Sequence, residues 1–403
     1  MAWMAEPTST REEVERLRRE LRARDAERFS LRRGLADLRA DLERIGASRA
    51  WRWGHAAALL LARVRRRPIV TEGAVSRALA RLDELERVLT IPPRPAGNRN
   101  APSFSINVAG TTREAARRGG DFAFATAMAR ALERRGSRTR VQVVPAEEDL
   151  GQDDVAIVLR GRTRHTPRAS QRNVLWVISH PADLSPDECE GYDLVCVASA
   201  QFAESLRPET SAPVIVLDQA TDPDVFHPDP APGVAHDLVF VGNSRGVRRR
   251  VLEDLLPTDH GLAVYGSGWE GVVDARYVTA THVPNEELRR VYSSASIVLA
   301  DHWDDMREFG FVANRIYDAV ACGAFVISDP VDGVEERFGG AVCTYESPEQ
   351  LAQLVERFLA DPDERRVRGA AGRARVLAEH TFDRRVEALL AALERTEGVQ
   401  TRG

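Results

Sequence analysis

The sequence contains no lysine, so all 56 of its basic residues are arginine. This absence excludes catalysis through a lysine Schiff base, and it excludes the phosphate loop of P-loop nucleotidases, which needs a lysine amine. Any phosphate group that the protein binds must therefore be held by guanidinium groups or by the amino ends of helices.

Cysteine, long apolar runs and an excess of one charge are also lacking. The four cysteines lie too far apart for a zinc ribbon, and a chain of 403 residues needs no disulfide framework, so the expected location is the reducing cytoplasm. The longest apolar run, residues 56–62, is far shorter than the ~20 residues that span a bilayer. A net charge of -5 gives no indication of a nucleic-acid partner.

Residues 1–91 are predicted to form a helical region. Apolar residues from Val14 to Ile45 recur at alternating spacings of three and four, and Arg24 and Arg28 fill two polar positions of this repeat. A heptad repeat of this kind is typical of a coiled coil, because its apolar stripe is not buried by a lone helix. It indicates a homo-oligomer or a partner helix; a helix packed on the chain's own globular domain is the alternative.

A segment within this region, residues 49–67, combines Trp51 and Trp53 with a short apolar run and flanking arginines. This pattern favours a helix at the interface of an anionic membrane, which would place the protein peripherally at the inner face. The alternative is a core helix whose arginines extend to solvent. Residues 92–102 are rich in proline and are predicted to be a linker.

The rest of the chain is predicted to be α/β, with two Rossmann-like, doubly wound domains. Short apolar runs alternate with helical stretches over residues 103–220, and the same pattern restarts over residues 237–375, before a closing helix within residues 376–403. This alternation is typical of parallel sheets covered on both faces. Two such domains in tandem form a cleft at the carboxyl ends of their strands, where these folds bind ligands.

The most informative segment runs from Asp301 to Asp329. A strand ends before it, a loop with Gly310 follows, and a helix is predicted to start near Val312, so that its first amides face the cleft. Asn314 and Arg315 add hydrogen-bond donors to this first turn, and Asp318 lies one turn later on the same face. Donors for a diphosphate followed by an acceptor for two vicinal hydroxyls indicate a site for a nucleoside diphosphate.

This segment resembles the donor-binding signature of the GT-B glycosyltransferases, in particular the CgeB-like, spore-maturation type, which is related to glycosyltransferase family 4. The acidic residue just before the run Ala319–Gly323 corresponds to Asp318, which the resemblance implies binds the nucleotide ribose. The family-4 pattern has a glutamate eight residues earlier, where this chain has Gly310 with Glu308 close by. The Asn-Arg pair in place of the common Pro-Leu favours the CgeB-like branch.

The resemblance extends over residues 103–393 and implies further site residues. His180, at the end of a strand, corresponds to the sugar-adjacent histidine, and His180 and Glu308 are the implied catalytic residues; a structural histidine is the alternative. The glycine loop of the acceptor domain corresponds to Gly119, Gly120 and Asp121, for which a plain tight turn is the alternative. The implied donor-binding residues are Gly242, Asn243, Arg248, Gly266, His282, Val283, Asn314, Arg315 and Asp318.

The function expected from the resemblance is transfer of a sugar from a nucleotide-diphosphate sugar to a glycan, lipid-linked or other acceptor in cell-envelope synthesis. No metal or other cofactor is expected, and retention of the anomeric configuration is implied by the family-4 relationship. Two alternatives remain open at this point: a sugar-nucleotide epimerase of the same fold, and a non-catalytic scaffold in which a decayed transferase domain carries a coiled coil.

Deletion of residues 1–91 is expected to leave a folded transferase with a changed oligomeric state or changed membrane association, because the proline-rich linker separates this region from a part with its own core. Light scattering and liposome flotation of both chains measure this. Identical mass and identical flotation would contradict the interaction role of the amino-terminal region.

Overall fold

The structure, a computed structural model, describes residues 38, 101–117, 119–145, 153–161, 164–231 and 236–400. The predicted heptad helix, the segment with Trp51 and Trp53, the linker as far as residue 100 and Arg118 lie outside the described residues. In the part that is described, no helix is both long and apolar enough to cross a membrane.

The first domain contains a sheet of six parallel strands in the order β2-β1-β3-β4-β5-β6. Its inward-facing apolar side chains form two layers of core, one on each face of the sheet. The strands are β1 (Ser103–Gly110), β2 (Arg138–Pro145), β3 (Val155–Arg160), β4 (Arg172–Val177), β5 (Leu194–Val197) and β6 (Val214–Val216). The helices are α1 (Arg113–Arg117), α2 (Gly120–Arg134), α3 (Pro186–Cys189) and α4 (Ala200–Leu206).

The second domain contains another sheet of six parallel strands, in the order β9-β8-β7-β10-β11-β12. The strands are β7 (His236–Val241), β8 (Leu262–Tyr265), β9 (Val278–Ala280), β10 (Ala295–Ala300), β11 (Val326–Ser328) and β12 (Val342–Thr344). The helices are α5 (Arg250–Leu255), α6 (Leu288–Ser293), α7 (Asp304–Glu308), α8 (Asn314–Ala321), α9 (Val334–Arg337), α10 (Pro348–Ala360), α11 (Pro362–Glu379) and α12 (Phe382–Gln400).

Both sheets contain the point at which a doubly wound fold binds its ligand. The strand order reverses between β1 and β3 in the first sheet and between β7 and β10 in the second. Ligands of such folds bind outside the carboxyl ends of the strands at this point, because the connections leave in opposite directions and open a crevice. The predicted fold class, two Rossmann-like domains, is thereby confirmed.

The last helix, α12, returns to the first domain. Phe382, Val386 and Leu389 are buried in the same core cluster as the strands β1, β3 and β4. The chain thus crosses between the sheets twice, and the crossings run side by side: Thr221 donates its backbone N–H to the carbonyl of His380 at 3.0 Å and accepts from Phe382 at 3.1 Å.

The loop between β10 and α8 forms a second contact between the domains. Met306 and Phe311 pack in the apolar cluster of the first domain that includes Phe202. The Gln219 side-chain amide donates to the carbonyl of Ile178 at 2.8 Å and to that of Val312 at 3.0 Å, one in each domain. The loop between β10 and α8 is therefore bound by apolar contacts with the first domain and by the hydrogen bond from Gln219.

Most predicted elements occur close to their predicted positions, with three kinds of difference. Helix α8 begins at Asn314 rather than near Val312, and the helix expected from Asn285 begins with a 3-10 turn before α6. Two short strands, β9 and β12, and several helices of four to seven residues were not predicted. Such short elements carry too few residues to show a period in the sequence.

Replacing Leu389 by alanine is expected to destabilise the first domain by ~2–5 kcal/mol, because the side chain is fully buried and its loss leaves a cavity. Hydrogen exchange should quicken in β1, β3 and β4 and much less in the second sheet. Val367→Ala, at a position that is 65% exposed, is the control and should change stability by less than ~0.5 kcal/mol. Faster exchange confined to the second sheet would contradict the placement of α12.

Candidate functional site

The carboxyl ends of the strands in the second sheet bring several of the predicted residues to one edge. Gly242 follows β7, Gly266 follows β8, and Asp301 follows β10. Asp329 follows β11, which pairs with β10 in register, with Ala300 opposite Ser328. The amino end of α8, with Asn314 and Arg315, faces the same edge.

Two arginines share one buried carboxylate at the centre of this edge. Arg249 binds Asp301 with both nitrogens of its guanidinium fork, with Nε 3.0 Å from Oδ2 and Nη2 against Oδ1. Arg315 approaches the same carboxylate, with its Nη1 3.6 Å from Oδ1. The Asp301 side chain is 0% exposed, so the three groups form a little-hydrated cluster with one positive charge in excess.

Arg315 reaches this position because Gly242 has no side chain. A Cβ on Gly242 would lie 3.0 Å from Arg315 Nη1, and the guanidinium also lies over the ring of Phe240. Burial, and then the charge of Arg249, lower the pKa of Arg315 to about 10. Its Nη1 is buried and makes no hydrogen bond within the described structure. An anion at this place would satisfy the nitrogen and offset the excess charge.

Asn314 and Asp318 lie together, one turn apart on α8. The Asn314 amide donates to Asp318 Oδ2 at 2.9 Å, and the hydroxyl of Thr221, from the crossing between the domains, donates to Oδ1 at 2.7 Å. Burial raises the pKa of Asp318 to about 8, Thr221 opposes this, and the charge of Asp222 adds to it. The carboxyl group is thus a buried acceptor whose protonation changes near neutral pH.

The other predicted donor-side residues lie on the loops that follow strands β7, β8 and β9. Asn243 accepts from the backbone N–H of Ser267 at 2.8 Å and so fixes the turn that follows Gly266. Arg248 and His282 are exposed, and Val283 packs in a small apolar cluster beside β8. Asn243 therefore shapes the loop, while Arg248 and His282 are free to meet solvent or ligand at its rim.

His180 lies where the two domains meet. It follows β4 with a left-handed backbone (φ 52°), and its Nδ1 is 3.8 Å from Asp305 Oδ2 in the second domain. Its Nε2 is 3.4 Å from Nη1 of Arg245, also in the second domain. The histidine is thus placed between a carboxylate and a guanidinium that come from the opposite wall of the cleft.

The glycine loop of the first domain opens onto the same cleft. Gly119 precedes α2, Gly120 begins it, and Asp121 lies in its first turn. Desolvation raises the pKa of Asp121, while the charges of Arg245 and His180 lower it. Arg245 and His180 therefore lie close enough to Asp121 for their charges to act on its carboxyl group.

Glu308 is held by its backbone. It is the last residue of α7, and its carbonyl accepts from the side-chain amide of Gln201 at 3.1 Å. Among the acidic residues of this loop, Asp305 is the one that lies beside His180. The structure therefore brings Asn314, Arg315 and Asp318 together on one side of the cleft and His180 with Asp121 on the other, with Glu308 on the connecting loop.

Sequence reasoning assigned no role to Asp301, His302 and Asp329, although all three are buried at this edge. The sequence did contain an indication of Asp301 and Asp329. Both directly follow apolar strands, and residues at the carboxyl ends of parallel strands lie where these folds bind ligands. Their partners were not visible, because Arg249 is one of three consecutive arginines.

The assembled site combines an anion-binding cluster with an acceptor for hydroxyl groups, facing a histidine and a carboxylate across a cleft. No group of three or more histidine, cysteine, aspartate or glutamate side chains within the described ranges is arranged to hold a metal ion. The arginine cluster and Asp318 are groups that can bind the phosphates and the hydroxyls of a ligand.

Comparison with known proteins gives a match to part of the chain and a likeness in fold. Residues 247–391 match the family model described as Glycosyl transferase-like, a span that includes Arg249, Arg315 and Asp318. No curated protein matches the sequence.

Several solved structures share the architecture at low sequence identity. Sucrose-phosphate synthase from Thermosynechococcus elongatus is 16% identical with a TM-score of 0.54, over 74% of this chain and 100% of that one. The T4 phage β-glucosyltransferase in complex with UDP-glucose is 12% identical with a TM-score of 0.52, over 73% and 98%. An α-glucosyltransferase in complex with UDP-glucose and DNA is 9% identical with a TM-score of 0.51, over 73% and 100%. The described part of this chain, residues 101–400 with short gaps, thus has the GT-B fold of glycosyltransferases, and its second domain carries the glycosyl transferase-like match.

Proposed function

We propose that the protein is a glycosyltransferase that uses a nucleotide-diphosphate sugar as its donor. The observation that carries this proposal is the convergence of two arginines, Arg249 and Arg315, on one buried carboxylate, Asp301, at the carboxyl end of the second sheet. An unpartnered guanidinium nitrogen at such a place suits a diphosphate, and a scaffold protein has no need of it.

The diphosphate lies between Arg315 and the amino end of α8 in this proposal. Helix amides at an amino terminus donate to anions, and the partial positive charge of the helix adds to that of the guanidinium. Arg249 is already paired with both oxygens of Asp301, so its role is to hold that carboxylate and leave Arg315 available.

The ribose lies against Asp318. Its two hydroxyls replace part of the present hydrogen bonding of the carboxylate, which now accepts from Thr221 and Asn314. Each carboxylate oxygen has two acceptor sites, so Asn314 keeps its bond while a hydroxyl is added. The resemblance to glycosyltransferases gives the same assignment independently of these distances.

The sugar extends from the diphosphate into the cleft, towards His180 and Asp121. In the transfer step the acceptor oxygen bonds to the anomeric carbon, the bond from that carbon to the diphosphate oxygen breaks with its electron pair, and the acceptor's proton passes to that diphosphate oxygen. Positive groups around the diphosphate stabilise the charge that develops on the leaving group. We propose retention of the anomeric configuration, in keeping with the family-4 resemblance.

We further propose that the acceptor is a glycan or a lipid-linked intermediate of cell-surface synthesis, bound at the glycine loop of Gly119, Gly120 and Asp121. The protein would act in the cytoplasm, at the inner face of the membrane, as a homo-oligomer through its amino-terminal helices. Turnover of radiolabelled uridine, guanosine, adenosine and thymidine diphosphate sugars, with and without lipid and glycan fractions, tests the proposal. Hydrolysis-free conversion without an acceptor would indicate an epimerase, and no turnover would indicate a scaffold.

Arg315→Gln is expected to weaken binding of nucleoside diphosphates by about 10- to 100-fold, because it removes a charge-assisted hydrogen bond from a desolvated site. Asp301 keeps its pairing with Arg249, so the melting temperature should change little. Arg290→Gln, which alters an exposed pair with Asp229, is the matched control. Equal affinity in Arg315→Gln and wild type, measured by calorimetry, would contradict the diphosphate assignment.

The affinity for UDP-glucose is expected to rise with pH between 6.5 and 8.5, by up to about tenfold per unit below the pKa of Asp318. Burial raises that pKa to about 8, so at lower pH the carboxyl holds a proton, and the ribose hydroxyls bond more strongly to the ionised form. The diphosphate of UDP-glucose does not titrate in this range. Asp318→Asn should bind more weakly and show no such slope, whereas the same slope in both proteins would rule out Asp318 as its source.

A further inference from the structure

A second buried polar pair lies directly beside the arginine cluster. Asp329 Oδ1 is 2.6 Å from Nδ1 of His302, and Oδ2 accepts from the backbone N–H of His302 at 3.2 Å. Both side chains are 0% exposed. The carboxylate therefore fixes the orientation of the imidazole and keeps a proton on Nδ1, as such second partners of histidine commonly do.

The other nitrogen of this imidazole, Nε2, is buried and has no hydrogen-bond partner among the described residues. A buried polar atom without a partner costs ~1–3 kcal/mol, and native proteins seldom keep one without a reason. The charge of Asp329, which binds His302, acts on Arg315, so this pair lies beside the cluster to which we assign the diphosphate.

Arg307 has a second buried nitrogen without a hydrogen bond, and this nitrogen lies near the same carboxylate, that of Asp329. It is Nη1, which lies 3.9 Å from Asp329 Oδ2, while Nη2 donates to Asp304 at 3.0 Å. Asp329 thus contacts both of the side chains that carry a buried nitrogen without a hydrogen bond. Guanidinium nitrogens only donate, whereas the imidazole Nε2 accepts when the ring is neutral and donates when it is charged.

Hydroxyl groups meet both demands, because each is a donor and an acceptor. Since a diphosphate in the neighbouring cluster carries its sugar next to it, the hydroxylated ligand nearest to these nitrogens is the donor sugar. We propose that His302, oriented by Asp329 and assisted by Arg307, binds hydroxyls of the donor sugar and determines which sugar the protein accepts. This inference rests on the proposed function.

The site differs from the acidic contact that the sequence pattern suggested. Glu308 lies on the same loop, but the described contact of that residue is made by its carbonyl, which accepts from Gln201. Because both unpartnered nitrogens are buried, a sugar that reaches them must displace part of the loop between β10 and α8. This loop is the segment that Ser199 and Gln201 bind from the first domain.

The test measures binding of UDP, UDP-glucose and its 2-, 3-, 4- and 6-deoxy analogues to the full chain by calorimetry. His302→Asn places an amide where Nδ1 bonds to Asp329 and removes Nε2 together with two ring carbons. We expect UDP to bind as in wild type and UDP-glucose about three- to tenfold more weakly, the effect of one hydrogen bond. Wild type should bind one of the deoxy analogues more weakly than UDP-glucose. The variant should bind that analogue and UDP-glucose with equal affinity, because loss of the sugar hydroxyl and loss of Nε2 remove the same hydrogen bond.

His260→Asn, at a histidine that pairs with Glu356 on the surface, is the matched control and should leave all affinities unchanged. Arg307→Gln, at a partly exposed side chain, repeats the test if His302→Asn does not fold. If a folded variant binds UDP-glucose as tightly as wild type and still discriminates against the same deoxy analogue, this inference is wrong and the proposed function is unaffected. Failure of wild type to bind any uridine, guanosine, adenosine or thymidine diphosphate sugar would overturn the proposed function and this inference with it.

Discussion

The carboxylate of Asp301 is the group on which the candidate site depends. It is completely buried, and it binds Arg249 through two hydrogen bonds while Arg315 lies within reach of the same oxygen. A buried carboxylate of this kind is tolerated only when cations accompany it, and a second cation is tolerated only when an anion is at hand. In a chain without lysine, arginine is the residue that fills these positions, and its planar fork fixes the geometry of the cluster.

The fold supports this cluster by bringing three kinds of element to one edge. The strands β7 and β10 end there in Gly242 and Asp301, and α8 begins there. The guanidinium of Arg249 also lies over the ring of Trp303, with its carbon 4.3 Å from the ring centre. The same loop continues into Met306 and Phe311, which pack on the first domain. One loop therefore contacts the arginine cluster and also packs on the first domain.

Much of this architecture follows from the sequence, because long strands and helices have a period that can be read. Asn314 and Asp318 were predicted to share a helix face, and the hydrogen bond between their side chains confirms this. The pairing of Asp301 with Arg249 was not predictable, since it joins residues 52 apart in a chain where arginine is frequent. The hydrogen bond from Thr221 to Asp318 was not predictable for the same reason, because the two residues are 97 positions apart in the sequence. Local pattern gives the elements, whereas buried polar contacts between them depend on tertiary packing.

The return of α12 to the first domain has a consequence for how the chain is divided. The first domain consists of residues 103–221 together with the helix from Phe382, and the second domain is, in topological terms, an insertion within it. The second domain is therefore not a terminal module that can be exchanged at a single junction. A chimaera that takes this domain from another transferase needs two splice points, one near Thr221 and one near Thr381, where the two crossings already lie side by side.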